Sequence, residues 1–94
     1  MSGEGVALPR WKCHKEVWGD RIKEIRELGP NDELFSTEDS GLRWILDCGG
    51  RISVKRSLIG RGRPVVGDYY VRYEDGYESW SPAKAFEDGY TRIS

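Results

Sequence analysis

A single histidine, two cysteines and no apolar run long enough to cross a bilayer leave this chain short of what hydrolases, metal sites and membrane spans are built from. His14 has no GxSxG-like serine and no catalytic-type cysteine context beside it, so the sequence offers no nucleophilic triad. Cys13 and Cys48 form no CxxC pair, whereas zinc takes four ligands at short spacings. A metal site from Cys13, His14 and Cys48, or a Cys13–Cys48 disulfide, therefore ranks behind two reduced, partly buried thiols. The N-terminus lacks the apolar segment of a secretory signal, which points to the cytoplasm. Excess charge is missing as well. Fifteen Lys and Arg face sixteen Asp and Glu, a net charge of -1, and a general nucleic-acid binder would be strongly basic.

Two further absences bear on catalysis. Gly60-Arg61-Gly62-Arg63-Pro64 has the glycines of a phosphate loop without its Lys-Ser/Thr or a following helix. Asp75 and Glu78 are paired carboxylates, but at a hairpin tip rather than in a cleft that would shift their pKa values. The expectation is a non-enzymatic protein without a cofactor.

The chain of 94 residues is long enough for one small domain, whose modest core would gain from a ligand or from oligomerisation. Residues 1–9 read as a flexible tail and residues 10–94 as a single domain. The clearest local structure is the run Tyr69 to Trp80. Asp75-Gly76 reads as a two-residue hairpin turn that sets Val71 opposite Trp80 and Tyr73 opposite Glu78. That register places Tyr69, Val71, Tyr73 and Trp80 on one core face. Ser81 then reads as the cap of a short helix with Pro82 at its first position and Gly89 as its stop.

Upstream, Trp18, Ile22, Ile25 and Leu28 recur at helical spacing, so pattern favours a helix over residues 16–28; Gly19 leaves a twisted amphipathic strand as the alternative. Residues 33–41 read as an acidic surface loop that Leu34-Phe35 anchors. Leu42 to Asp47 and Arg51 to Lys55 read as strands joined at Gly49-Gly50, a turn that would set Ile45 beside Val54. Tyr90 to Ile93 reads as a last short strand. The sum is an α+β fold: a small, strongly bent antiparallel sheet, barrel-like, with one or two short helices.

The residues Gly67 to Ile93, read as GDYYVRYEDGYESWSPAKAFEDGYTRI, resemble the C-terminal signature of a family of uncharacterised small tailed-phage and prophage proteins. Trp11 to Val17 is similar to that family's N-terminal segment, which usually carries Ser at the place of Cys13. The middle of the chain departs from the family, Gly60 to Arg63 most of all. The resemblance implies a phage accessory protein acting in the host cytoplasm, in a setting where small phage proteins often oppose host defence. It implies no catalytic residues.

The binding residues come from the sequence itself. Between Arg51 and Arg63 there are five cations and no acid. Arg56, Arg61 and Arg63 lie near glycines that let the backbone approach a ligand, and each guanidinium offers a planar fork to phosphate oxygens. Four tryptophans and five tyrosines exceed the needs of so small a core. Trp11, Trp18, Tyr70 and Tyr77 are the candidates to stack on a base while the arginines hold its phosphates. Ser79 and Ser81 are further hydrogen-bonding candidates, although Ser81 already reads as the helix cap. The plainer reading makes Trp44 and Trp80 core residues and the arginines a soluble loop. Partners follow in two classes: a nucleotide-like small molecule such as an immune signal, bound by a homo-oligomer, or a host defence protein met by the aromatic surface, since Tyr, Trp and Arg dominate interface hot spots. A small-barrel nucleic-acid module is a third reading that the net charge disfavours.

Overall fold

The computed structural model describes residues 8–12, 16–29 and 37–92. The central element is β2, the twelve-residue strand Glu16–Glu27. Its first half lies between β1 (Arg10–Lys12) and β5 (Tyr69–Tyr73), pairing antiparallel with both. After a register shift between Ile22 and Glu24 its second half pairs with β3 (Asp39–Leu46), which pairs in turn with β4 (Arg51–Lys55). A 3-10 turn over Arg56–Ile59 leads away from β4. Beyond β5 come β6 (Glu78–Ser81), the helix α1 (Ala83–Gly89) and β7 (Thr91–Arg92), which pairs with β1.

This corrects the helix expected over residues 16–28. Its helical spacing is real, but the segment gains more from three strand partners than its propensity for helix is worth. Gly19 is the decisive residue. A Cβ there would stand 2.2 Å from the Tyr70 carbonyl oxygen, so β2 and β5 meet at a distance only glycine allows.

The sheet is covered on both faces. On one, Ile22, Leu42, Trp44, Leu46, Val54, Leu58 and Tyr70 form the larger core, with Trp80 packed against it. On the other, Val17, Tyr69 and Val71 pack with Phe86 of α1, and Trp11 joins them. Tyr69, Tyr70 and Val71 are thus all buried, alternating between two cores rather than between core and solvent. The fold is α+β, with a mainly antiparallel sheet and one α-helix among the described residues. Among the described residues the sheet does not close into a barrel: β4 pairs there only with β3 and β6 only with β5, and the 3-10 turn touches both without joining them.

Both hairpins differ from expectation in the same way. In the β5–β6 hairpin Tyr73 N–H donates to Tyr77 O and Gly76 N–H to Tyr73 O, which makes Glu74-Asp75-Gly76 a three-residue loop. In the β3–β4 hairpin Leu46 N–H donates to Gly50 O and Gly49 N–H to Leu46 O, closing Asp47-Cys48-Gly49. Each glycine sits third with a positive φ, +91° at Gly76 and +93° at Gly49, as a bulged three-residue loop requires. No described non-glycine residue has a positive φ, so Asp75 cannot serve a two-residue type I′ turn. The true partners are Tyr70 with Trp80, Val71 with Ser79, and Leu42 with Val54. Trp80 therefore shares the face of Tyr70, not that of Tyr69, Val71 and Tyr73.

Other ends are also set by distant groups. Ser81 closes β6 and does not cap α1; the Asp68 carboxylate does, accepting from Ala83 N–H at 2.9 Å. Gly89 is the last residue of α1 rather than a stop beyond it, and Thr91–Arg92 is the expected final strand in shortened form. The fold begins before residue 10: Pro9 O accepts from Gly19 N–H and Leu8 packs on the larger core. The acidic loop begins its strand at Asp39, whose buried carboxylate accepts two bonds from the Arg43 guanidinium at 2.8 Å. Leu34 and Phe35 lie outside the described residues. No described helix is long and apolar enough to cross a membrane.

Candidate functional site

The arginine-bearing loop runs from the end of the 3-10 turn to β5. Gly60 N–H donates to Ser57 O and Gly62 N–H to Ile59 O, which keeps the loop's start folded onto the turn. Pro64 is buried, and Val65 N–H donates to Asp68 Oδ2 at 3.0 Å. Between these anchors Arg61, Gly62 and Arg63 are exposed. Gly62 has a φ of +136°, a conformation that side chains rarely adopt.

This loop lies against β6. The Arg61 guanidinium reaches the Ser79 hydroxyl at 3.5 Å. A Cβ on Gly62 would lie 3.9 Å from Cζ2 of Trp80, on the indole edge that carries the ring nitrogen. The Trp80 ring packs on the larger core, yet its Nε1–H is a buried donor with no acceptor. Such a donor is costly to leave unmade. Ser79 and Trp80 alternate along β6, Ser79 beside Val71 and Trp80 beside Tyr70, so the hydroxyl that Arg61 reaches and the indole near Gly62 leave the strand on opposite faces. The nearest acid in sequence, Glu78, is engaged elsewhere: its Oε2 accepts from the Tyr70 hydroxyl at 2.6 Å.

The other expected binding residues do not gather here. Arg56 lies at the opposite end of the 3-10 turn, with Nε 3.4 Å from the Asp39 carbonyl oxygen. Tyr70 is 1% exposed and cannot stack on a ligand. Trp11 lies in the smaller core, edge-on to Phe86 at 4.8 Å between centroids, with its Nε1–H donated to Gly19 O. Trp18 sits two strands from β6, between Arg10 and Arg72 in register. Tyr77, 66% exposed, belongs to the far end of the β5–β6 hairpin, where its ring lies 5.8 Å from that of Tyr73. Arg61 and Arg63 remain with the loop, and Trp80 joins them although its type and spacing read only as core. Its orphan N–H depends on how the loop lies over it, which no local pattern encodes.

Cys48 is a free, half-buried thiol whose pKa is raised by burial and by Asp20. Its backbone N–H donates to Asp20 Oδ2 at 2.6 Å, and Arg21 pairs with Asp47 at 2.9 Å, so these groups tie the β3–β4 hairpin to β2. Cys13 and His14 lie outside the described residues, and no group of three metal-ligating side chains occurs among those described. Compared with known family models, curated proteins and solved structures, the chain matches none.

Proposed function

We propose that this chain is a non-enzymatic phage accessory protein that acts in the host cytoplasm by binding and sequestering a phosphorylated small molecule, such as a nucleotide used as an immune signal. The observation that carries the reading is the reach of Arg61 over Ser79 at the edge of β6, with Arg63 exposed on the same loop. Guanidinium groups on a glycine-rich loop suit phosphate oxygens, which accept bonds from both side chain and backbone. The charge of the whole chain lends no long-range attraction, so recognition rests on these local donors.

The test is thermal melting with mono-, di- and cyclic nucleotides, followed by tryptophan fluorescence. A ligand that binds only the folded protein adds about 2.7 kcal/mol at 100 times its Kd. In a domain of this size that moves the midpoint by several degrees or more. A flat result across the whole series removes the reading.

A second reading rests on Tyr77, beside Tyr73 at the hairpin tip. An exposed tyrosine beside a half-buried one suits a protein interface, here with a host defence protein. A pull-down from host lysate that Tyr77→Ala abolishes would favour it over the small-molecule reading.

A further inference from the structure

Trp18 is half-buried on the surface of β2 and, alone among the four tryptophans, belongs to neither core. Its register neighbours are Arg10 on β1 and Arg72 on β5, and directly paired residues share a face. An arginine therefore flanks the indole on each side. We infer that Trp18 and Arg72 form a nucleotide-binding site, in which a base stacks on the indole and Arg72 takes the phosphate. The site shares its ligand class with the arginine loop and none of its residues. Trp18 and Arg72 lie on the Trp80 side of the sheet, whereas Ser79, which Arg61 reaches, lies on the other.

A large ring left on the sheet surface is uncommon in a chain with two cores to fill. Every base has a π-face, so stacking on that ring demands no particular base. Arg72 is exposed beside it and brings a planar, charged fork to phosphate oxygens. The acids on this face are engaged. Glu78, opposite Arg72, accepts from the Tyr70 hydroxyl at 2.6 Å. Asp20 is buried and accepts from Cys48 N–H. Glu16 pairs with Arg10 at 3.4 Å, a long bridge between partly exposed groups that a ligand phosphate can displace.

The same face limits the size of the ligand. Tyr70 and Trp80, the next aromatics in register, are packed into the larger core, so one ring is offered and one base is held. A nucleic-acid strand would need successive aromatics along a basic groove. The net charge of -1 gives such a strand no general attraction either. The occupant is therefore a free nucleotide, recognised by its ring and its phosphate.

The experiment titrates AMP, TMP, ribose phosphate and an oligothymidylate into wild type, Trp18→Ala, Arg72→Gln and Arg61→Ala, read by calorimetry and tryptophan fluorescence. AMP and TMP should both bind and change the fluorescence. Ribose phosphate, which lacks the ring, should bind about 5- to 150-fold more weakly, the range that stacking on one aromatic supplies. Trp18→Ala should weaken AMP by about the same factor and leave ribose phosphate unchanged. Arg72→Gln should weaken both about tenfold or more, and Arg61→Ala should alter neither. Where Trp18→Ala is unfolded by circular dichroism, Trp18→Phe keeps a ring and should lose the fluorescence change with AMP. Equal binding of AMP and ribose phosphate to wild type, or AMP binding unchanged in Trp18→Ala, overturns the site. Binding lost in Arg61→Ala and kept in Trp18→Ala overturns it too and leaves the arginine loop standing; the reverse result upholds the site and removes the loop. An oligothymidylate held more than about tenfold tighter than TMP would make this face a single-strand site and overturn the nucleotide assignment. No binding of any of the four overturns this site and the loop reading together.

Discussion

The Tyr70 hydroxyl donates to Glu78 Oε2 at 2.6 Å across the β5–β6 hairpin, from a ring held between the two sheet halves. One residue earlier on β5, the Tyr69 hydroxyl makes the matching bond to Glu87 of α1 at 2.9 Å. The two tyrosines point to opposite faces, yet both spend their polar end on a carboxylate. They fasten β5 to β6 on one side and to the helix on the other.

These bonds predict an alkaline limit to stability. Burial, then the bond to Glu87, pushes the Tyr69 hydroxyl up to about 12, and burial with Glu78 pushes Tyr70 up as well. In the unfolded chain both titrate near about 10. The folded protein therefore holds protons that the unfolded chain releases. Stability is complete below pH of about 10 and falls as pH rises towards 12. Urea melts between pH 8 and 12 should show the fall, and Tyr69→Phe should flatten it. At neutral pH Tyr70→Phe should cost about 1–3 kcal/mol, because the half-buried Glu78 loses its donor.

Asp68 carries a heavier structural load than its place in a loop suggests. One oxygen caps α1 through Ala83 N–H, and the other accepts from Val65 N–H, fixing the end of the arginine loop. Asp68→Ala should lower stability by about 1–2 kcal/mol, the range of a lost helix cap. It should also loosen the loop, read as faster hydrogen exchange at Val65 and Ala83. Equal stability and unchanged exchange would show that other groups hold both segments.

Gly19→Ala tests the close meeting of β2 and β5. The added methyl would fall 2.2 Å from a backbone oxygen, and backbone cannot rotate away as a side chain can. The strands must separate, at a cost of about 3 kcal/mol or more. Circular dichroism melts of wild type and variant decide it. A variant as stable as the parent would mean that β2 does not pair with β5 at this point.

The sequence carried the strands that alternate or stand alone, β4 and β5 above all, and the last strand after the helix. It misled where a local signal had two solutions. Asp75-Gly76 and Gly49-Gly50 fit two-residue turns as well as three-residue bulged loops, and one residue of slip moved Trp80 from one face to the other. Residues 16–28 have helical spacing because β2 is buried on both faces over part of its length and exposed over the rest, a mixture that imitates period 3.6. Arg61 and Arg63 were legible as a cationic loop. Neither the Asp68 cap nor the orphan Trp80 donor was, since each depends on contacts 15 or more residues apart.

The last prediction separates the arginines that sequence alone grouped together. Arg56 is directed to the Asp39 carbonyl at one end of the 3-10 turn, while Arg61 reaches Ser79 beyond the other. If the loop over β6 is the site, Arg56→Ala should bind pyrophosphate as the parent does. Arg61→Ala should lose about 1.5–3 kcal/mol, the worth of a hydrogen bond to a charged partner. Both side chains are exposed and neither bond is short, so each variant should keep its melting midpoint. Calorimetric titration of the two variants side by side reads the difference directly. Equal losses would place the anion between the two arginines, across the 3-10 turn, and would remove Ser79 from the site.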